Sequence, residues 1–177
     1  MTNPVELWSV RQLLLTTGVL LVAVFAAGAL IYRSDAHLRA SNLPRSSALE
    51  WEHAPSAVAR VTATYREQQV VGEVVRGTLL DTVALIPSYA ALLAIACFWA
   101  ARSLAAPWST LGLVLGWGGL VAGGLDLIEN AGILVEVVLG WSFAAPLTNA
   151  ACWLKWTLAT SSAGFALVAA IGHWLTD

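Results

Sequence analysis

LGLVLGWGGLVAGGLDLIENAGILVEVVL, residues 111–139, is the stretch whose reading decides the fold. It is apolar over a length that spans a bilayer, since a helix needs about 20 residues to cross about 30 Å of hydrocarbon. Yet Asp126, Glu129 and Asn130 sit inside it, and Glu136 near its end reads as interfacial. An ionised side chain near the bilayer centre costs about 2.5–3.5 kcal/mol, so such groups persist when they pair, line water or carry function.

Three further runs match it: Leu13–Tyr32, Thr78–Ala101 and Ala150–Gly172. Backbone groups in lipid must pair within their own segment, so all four runs are expected to be helices. The composition agrees. Of 177 residues 58% are hydrophobic and 11% charged, against about 25% charged in soluble domains. Mean hydropathy is +0.73. A disordered chain, a coiled coil and a nucleic-acid binder are excluded, the last for want of a basic stripe. Leu13–Tyr32 is long enough to be a retained anchor rather than a cleaved signal. Trp8, Trp99, Trp108, Trp153 and Trp174 fall near run ends, where indole rings favour the interface.

The predicted architecture is all-α: a four-transmembrane-helix bundle, with spans over 13–32, 78–101, 109–139 and 150–172, and a helical extramembrane segment between helices 1 and 2. That polar segment, 33–76, holds Arg33, Arg39, Arg45, Arg60, Arg66 and Arg76 against Asp35, Glu50, Glu52, Glu67 and Glu73. Asn42-Leu43-Pro44-Arg45 reads as a turn. Ser56 is expected to cap an amphipathic helix over about 57–76. With no breaker before Arg76, that helix is expected to run into the second span as one rod, the alternative being a separate interfacial helix hinged at Gly77.

In the third span, Gly112/Gly116 and Gly119/Gly123 form small-xxx-small pairs that let backbones approach closely. They predict packing inside the bundle or a face for a partner subunit. Cys97 and Cys152 lie in apolar runs and read as small core residues. His37, His53 and His173 are scattered and form no ligand motif, so no metal and no cofactor are expected.

The ionisable groups inside the spans carry the functional reading. They are Asp81, Asp126, Glu129 and Lys155, the only lysine. Counting from the span ends puts all four within a turn or two of the face that carries the polar segment. Asp126, Glu129 and Asn130 share one stripe at i, i+3 and i+4. Ser88 shares Asp81's stripe with Tyr89 beside it, and Ser162 shares Lys155's. Pro87 removes an N–H and frees a carbonyl near Val83, which opens space below Asp81. Lys155 is expected to pair with Asp126 or Glu129. Three carboxylates against one ammonium leave an excess of negative charge, to be relieved by protonation or by loop arginines such as Arg76, Arg66 and Arg33.

The stretches LLDTVALIPSYAALLA (79–94), AGGLDLIENAGIL (122–134) and ACWLKWTL (151–158) resemble a group of small, uncharacterised bacterial four-helix membrane proteins. The resemblance covers helices two to four and implies no activity. The Arg-over-Lys bias and high Ala content fit a GC-rich bacterial genome, and the chain is expected in a bacterial inner (plasma) membrane. Six arginines in 33–76 against Arg11 and Arg102 opposite place the segment in the cytoplasm, whereas a short N-terminus without an export signal fits the reverse.

Two functions follow. One is an accessory or scaffold subunit whose polar cluster sets helix register and whose partners are membrane lipid and other membrane subunits or further copies of the chain. The other is a membrane-embedded acid/base enzyme or lipid-head-group binder. There Asp126 and Glu129 act as acid and base, Lys155 attracts an anion, and Asn130, Tyr89, Ser88, Ser162 and Arg76 line the site. Proton or ion passage is disfavoured because the far halves of the spans lack polar residues.

Overall fold

The computed structural model describes residues 2–45 and 47–176, with side chains as far as Gly172; His173 and Trp174 therefore lie outside the described side chains. It is all-helical, with four helices long and apolar enough to span a membrane, so the chain is a membrane protein built as a four-helix bundle.

Helix α1, Val10–Ser34, opens with a capping box. Ser9 Oγ accepts from the Gln12 amide and Gln12 Oε1 accepts from the Ser9 amide, so two orphan donors of the first turn are satisfied. The N-terminal segment is tied to the far end of the second span. Arg102 donates to the carbonyls of Val5 and Trp8, and Asn3 donates to that of Phe98.

The second span is continuous over Val71–Ser103. It comprises α5 (Val71–Leu80), a π turn over Asp81–Leu85 and α6 (Ile86–Ser103). The π turn has a local cause. Pro87 cannot donate to the Val83 carbonyl, and the helix ahead of it widens until the Ile86 amide reaches Asp81 O. Helix α7, Trp108–Leu134, also ends in a π turn, Val135–Leu139, and stops at Gly140, whose φ of 76° suits glycine. After a 3₁₀ turn over Ser142–Ala144 comes α8, Ala145–Thr176, which starts five residues before the expected fourth span. Helix α7 lies between α6 and α8, while α1 rests on α5, the first π turn and α6.

The glycines of α7 explain the closeness of α6. A Cβ on Gly116 would lie 2.3 Å from the Phe98 ring, one on Gly119 would lie 3.0 Å from Leu93 Cβ, and one on Gly123 would lie 2.7 Å from Ala90 Cβ. A Cβ on Gly112 would meet Phe165 of α8 at 2.8 Å. All four glycines are buried against helices of the same chain, so the face offered above to a partner subunit is already filled.

The 33–76 segment corrects the single-rod expectation. It folds into α2 (Ala36–Ala40), α3 (Ser47–Glu50) and α4 (Pro55–Glu67), and α4 ends nine residues before Arg76. Gln69 adopts φ 58°, its amide bonds to Arg66 O, and the Val70 amide bonds to Tyr65 O. This is a Schellman stop, with Val70 and Tyr65 both in the core as its apolar contact. Nothing in the residue types Gln-Gln-Val announces it. Asn42, at φ 52°, ends α2 in the same way, as the expected turn. Ser56 does not cap α4, because Pro55 is itself the first helical residue. Glu52 Oε1 instead accepts from the amides of His53 and Ala54 just ahead of the helix. Freed from the rod, α4 folds back over the bundle end. Leu38, Leu49, Val58 and Tyr65 bury against Val70, Val74, Ile133 and Val137, forming a small extramembrane core.

Adjacent glycines test the close helix contact. Gly123→Ala places a methyl against a backbone-borne Cβ that cannot rotate away, so it is expected to lower stability in detergent by about 1–3 kcal/mol. Gly124→Ala, with nothing within 4 Å of the added Cβ, is expected to leave the thermal midpoint unchanged or slightly raised.

Candidate functional site

The ionisable groups of the three inner spans meet. Lys155 Nζ donates to Asp126 Oδ1 at 2.9 Å and to Glu129 Oε1 at 2.8 Å. Two acids three residues apart lie on one face of α7, so a single ammonium on α8 reaches both. Lys155, Asp126 and Glu129 are all buried. The second span joins through Tyr89, whose hydroxyl donates to Asp126 Oδ2 at 2.6 Å. It joins again through Asn130 Nδ2, which donates to Asp81 Oδ2 at 2.8 Å and to Thr82 Oγ1 at 3.0 Å. The π turn carries both Asp81 and Thr82.

Other expected members lie elsewhere. Ser162 is fully buried, but its hydroxyl donates to Leu115 O and its carbonyl accepts from Cys97, so it locks α8 to α7 and α6. Ser88 donates to Ala84 O one turn back on its own helix. Arg76 points to the Ser34 carbonyl at the end of α1, and Arg66 donates to Val137 O beside Gly140. Serine hydroxyls inside apolar helices often return to the carbonyl four residues back, which sharing a stripe does not reveal. Glu136 faces the interior of the chain. It is completely buried, accepts from Thr148 Oγ1 at 3.2 Å, and its Oε2 has no partner among the described residues.

The site also recruits residues that spacing did not single out. Trp51 stacks on Trp156 at 6.4 Å and meets Trp153 edge-on at 5.3 Å. Asn149 Nδ2 donates to the carbonyls of Glu50 and Trp51. Together these seat α3 on α8 and bring Glu50 Oε2 to 4.0 Å from Lys155 Nζ. A cavity of about 400 Å³ remains beneath the extramembrane segment. Asp81, Tyr89, Asp126, Asn130 and Lys155 line its inner wall, and Asp35, Arg45, Ser47 and Glu50 line its mouth. Ile31, Leu85 and Ala159 with Trp156 give it an apolar flank. One oxygen each of Glu50 and Glu129 and the Cys152 sulfur lie within 4.8 Å of one another, a spacing suited to a metal ion. The Lys155 ammonium, bonded to Glu129, already supplies the cation at that point.

At the mouth, burial pushes the Glu50 carboxyl above its ordinary value, with Lys155 opposing and Asp126 and Asp81 reinforcing the rise. Burial likewise raises Asp35, against the Ser34 hydroxyl and the nearby Arg39, Arg45 and Arg76. Inside this extramembrane layer burial raises the Tyr65 phenol as well, while its hydroxyl donates to Arg45 O.

Two outcomes follow. Lys155→Met leaves two carboxylates buried without a cation and is expected to cost about 3–5 kcal/mol. The triple variant Lys155→Met/Asp126→Asn/Glu129→Gln is expected to recover most of that loss in thermal unfolding. Glu50 holds its proton longer when folded than when unfolded. Its contribution to stability is therefore complete below the ordinary value of 4.5 and declines as pH rises through the raised value. Glu50→Gln is expected to reduce, though not abolish, the fall in thermal midpoint as pH is raised from the ordinary value through the raised one, because Asp35 acts in the same direction.

Comparisons with known protein families, with curated proteins and with solved structures returned no match.

Proposed function

We propose that this protein resides in a bacterial inner membrane and holds the polar head group of an amphiphilic molecule in the cavity beneath its 33–76 segment. One observation carries the reading: the cavity joins an inner wall of converging polar side chains to an apolar flank of Ile31, Leu85 and Ala159. A polar head and an apolar tail need that pairing of surfaces, and cavities with a few convergent polar groups are the usual form of a small-molecule site. The roles differ from those first expected. Lys155 is committed to Asp126 and Glu129 and serves to hold the wall together. Asp81 and Glu50 are the carboxyls that a head group would meet, and a membrane-embedded acid/base enzyme would draw its proton-transfer groups from them.

The second reading, an accessory or scaffold subunit of a membrane assembly, draws on α1. Leu14, Leu15, Val22 and Phe25 are exposed along it, and it rests chiefly on the second span. Protein purified in mild detergent decides between the two. Head-group binding predicts one co-purified amphiphile per chain by native mass spectrometry. Ala159→Trp, which fills the cavity, is expected to abolish retention while leaving the thermal midpoint close to the parent's. Retention unaltered by Ala159→Trp, or a stable larger complex without bound amphiphile, would favour the scaffold.

A further inference from the structure

The donors and acceptors around the cavity do not balance. Asn130 Nδ2 spends its two hydrogens on Asp81 and Thr82, and the Tyr89 hydroxyl spends its one on Asp126. Lys155 gives two of its three hydrogens to Asp126 and Glu129, and a third carboxyl, that of Glu50, stands 4.0 Å from its ammonium. These are the side-chain donors of the inner wall. Acceptors remain in surplus. Asp81 has one oxygen on Asn130 and no cation within salt-bridge distance among the described residues, and Glu50 has Lys155 at 4.0 Å with a second carboxyl, that of Glu129, beside it. Behind the wall Glu129, completely buried, has Oε2 without a donor. Arg45 and Ser47 place donors at the mouth, yet against the carboxyls of Asp35, Glu50, Asp81 and Asp126 the lining sets two cations, Arg45 and Lys155.

An anionic head group would add acceptors to this surplus and would meet Asp81, Glu50 and Asp126 around a lysine whose charge is already matched. A quaternary ammonium would supply charge but no N–H. Resting on the head-group reading above, we propose that the cavity takes a primary ammonium, held between Asp81 and Glu50, with its alkyl portion along Ile31, Leu85 and Ala159. Trp156, whose ring lies 5.7 Å from Lys155 Nζ, closes that flank.

Delipidated protein in non-ionic detergent is titrated with dodecylamine, dodecyltrimethylammonium and dodecyl phosphate, and occupancy is read by native mass spectrometry. Dodecylamine is expected to bind one per chain and at least about tenfold more tightly than either competitor, in keeping with the strength of charge-assisted hydrogen bonds. Asp81→Asn is expected to erase that preference. Glu50→Gln, at the mouth and outside the bundle core, is expected to weaken dodecylamine several-fold and keeps the test decisive if Asp81→Asn fails to fold. Displacement by ethanolamine alone would identify a soluble amine as the source, and displacement only by alkylated amines a membrane amphiphile. Equal or tighter binding of dodecyl phosphate or of the trimethylated analogue would overturn the ammonium assignment while leaving the head-group cavity standing. Binding of none of the three would overturn both.

Discussion

A single ammonium shared by two carboxylates sets the geometry of this bundle. Lys155 must lie level with Asp126 and Glu129 and face them, because a buried charge left unmatched is expensive. That requirement fixes both the rotation and the vertical register of α8 on α7. Tyr89 and Asn130 carry the constraint to the second span, since each is bonded across the interface between it and α7. The glycines of α7 work in the same direction from the other end. By removing side-chain bulk against Ala90, Leu93 and Phe98 they bring the two backbones close enough for those polar contacts to close.

The extramembrane segment completes the site from outside. A Schellman stop at Gln69 breaks what would otherwise be a long rod, and a second at Asn42 ends α2, so that short helices turn back over the bundle. Their apolar residues then bury against Ile133 and Val137 at the end of α7. One consequence is chemical: α3, pinned by Trp51 and Asn149, adds Glu50 to an already acidic cluster and roofs the cavity. The layer that lowers hydration around Glu50 and Asp35 is thus built by the same fold that delivers them.

The π turn at Asp81–Leu85 joins these two parts. It arises from the missing amide of Pro87, and it carries Asp81 and Thr82, the two groups that engage Asn130. Such widened turns recur at functional sites because they re-aim side chains without ending the helix. A second π turn, at the end of α7, carries Glu136 into a closed contact with Thr148, with Gly132 leaving room for that hydroxyl.

Hydrophobic length alone determined the four spans, because a bilayer admits few structures other than helices that satisfy their own backbone. The meeting of Asp81, Asp126, Asn130 and Lys155 was legible as well, since depth in a spanning helix follows directly from residue count. What lay outside the spans was not. Gln69 ends a helix through a left-handed backbone that its side chain does not signal, and Glu50 reaches Lys155 only because distant tryptophans and Asn149 hold its short helix in place. Ser88 and Ser162 shared the right stripes but found carbonyl partners nearer by. Periodicity assigns a side chain to a face; the partner it takes there depends on contacts between segments far apart in the chain, and only the tertiary structure decided those.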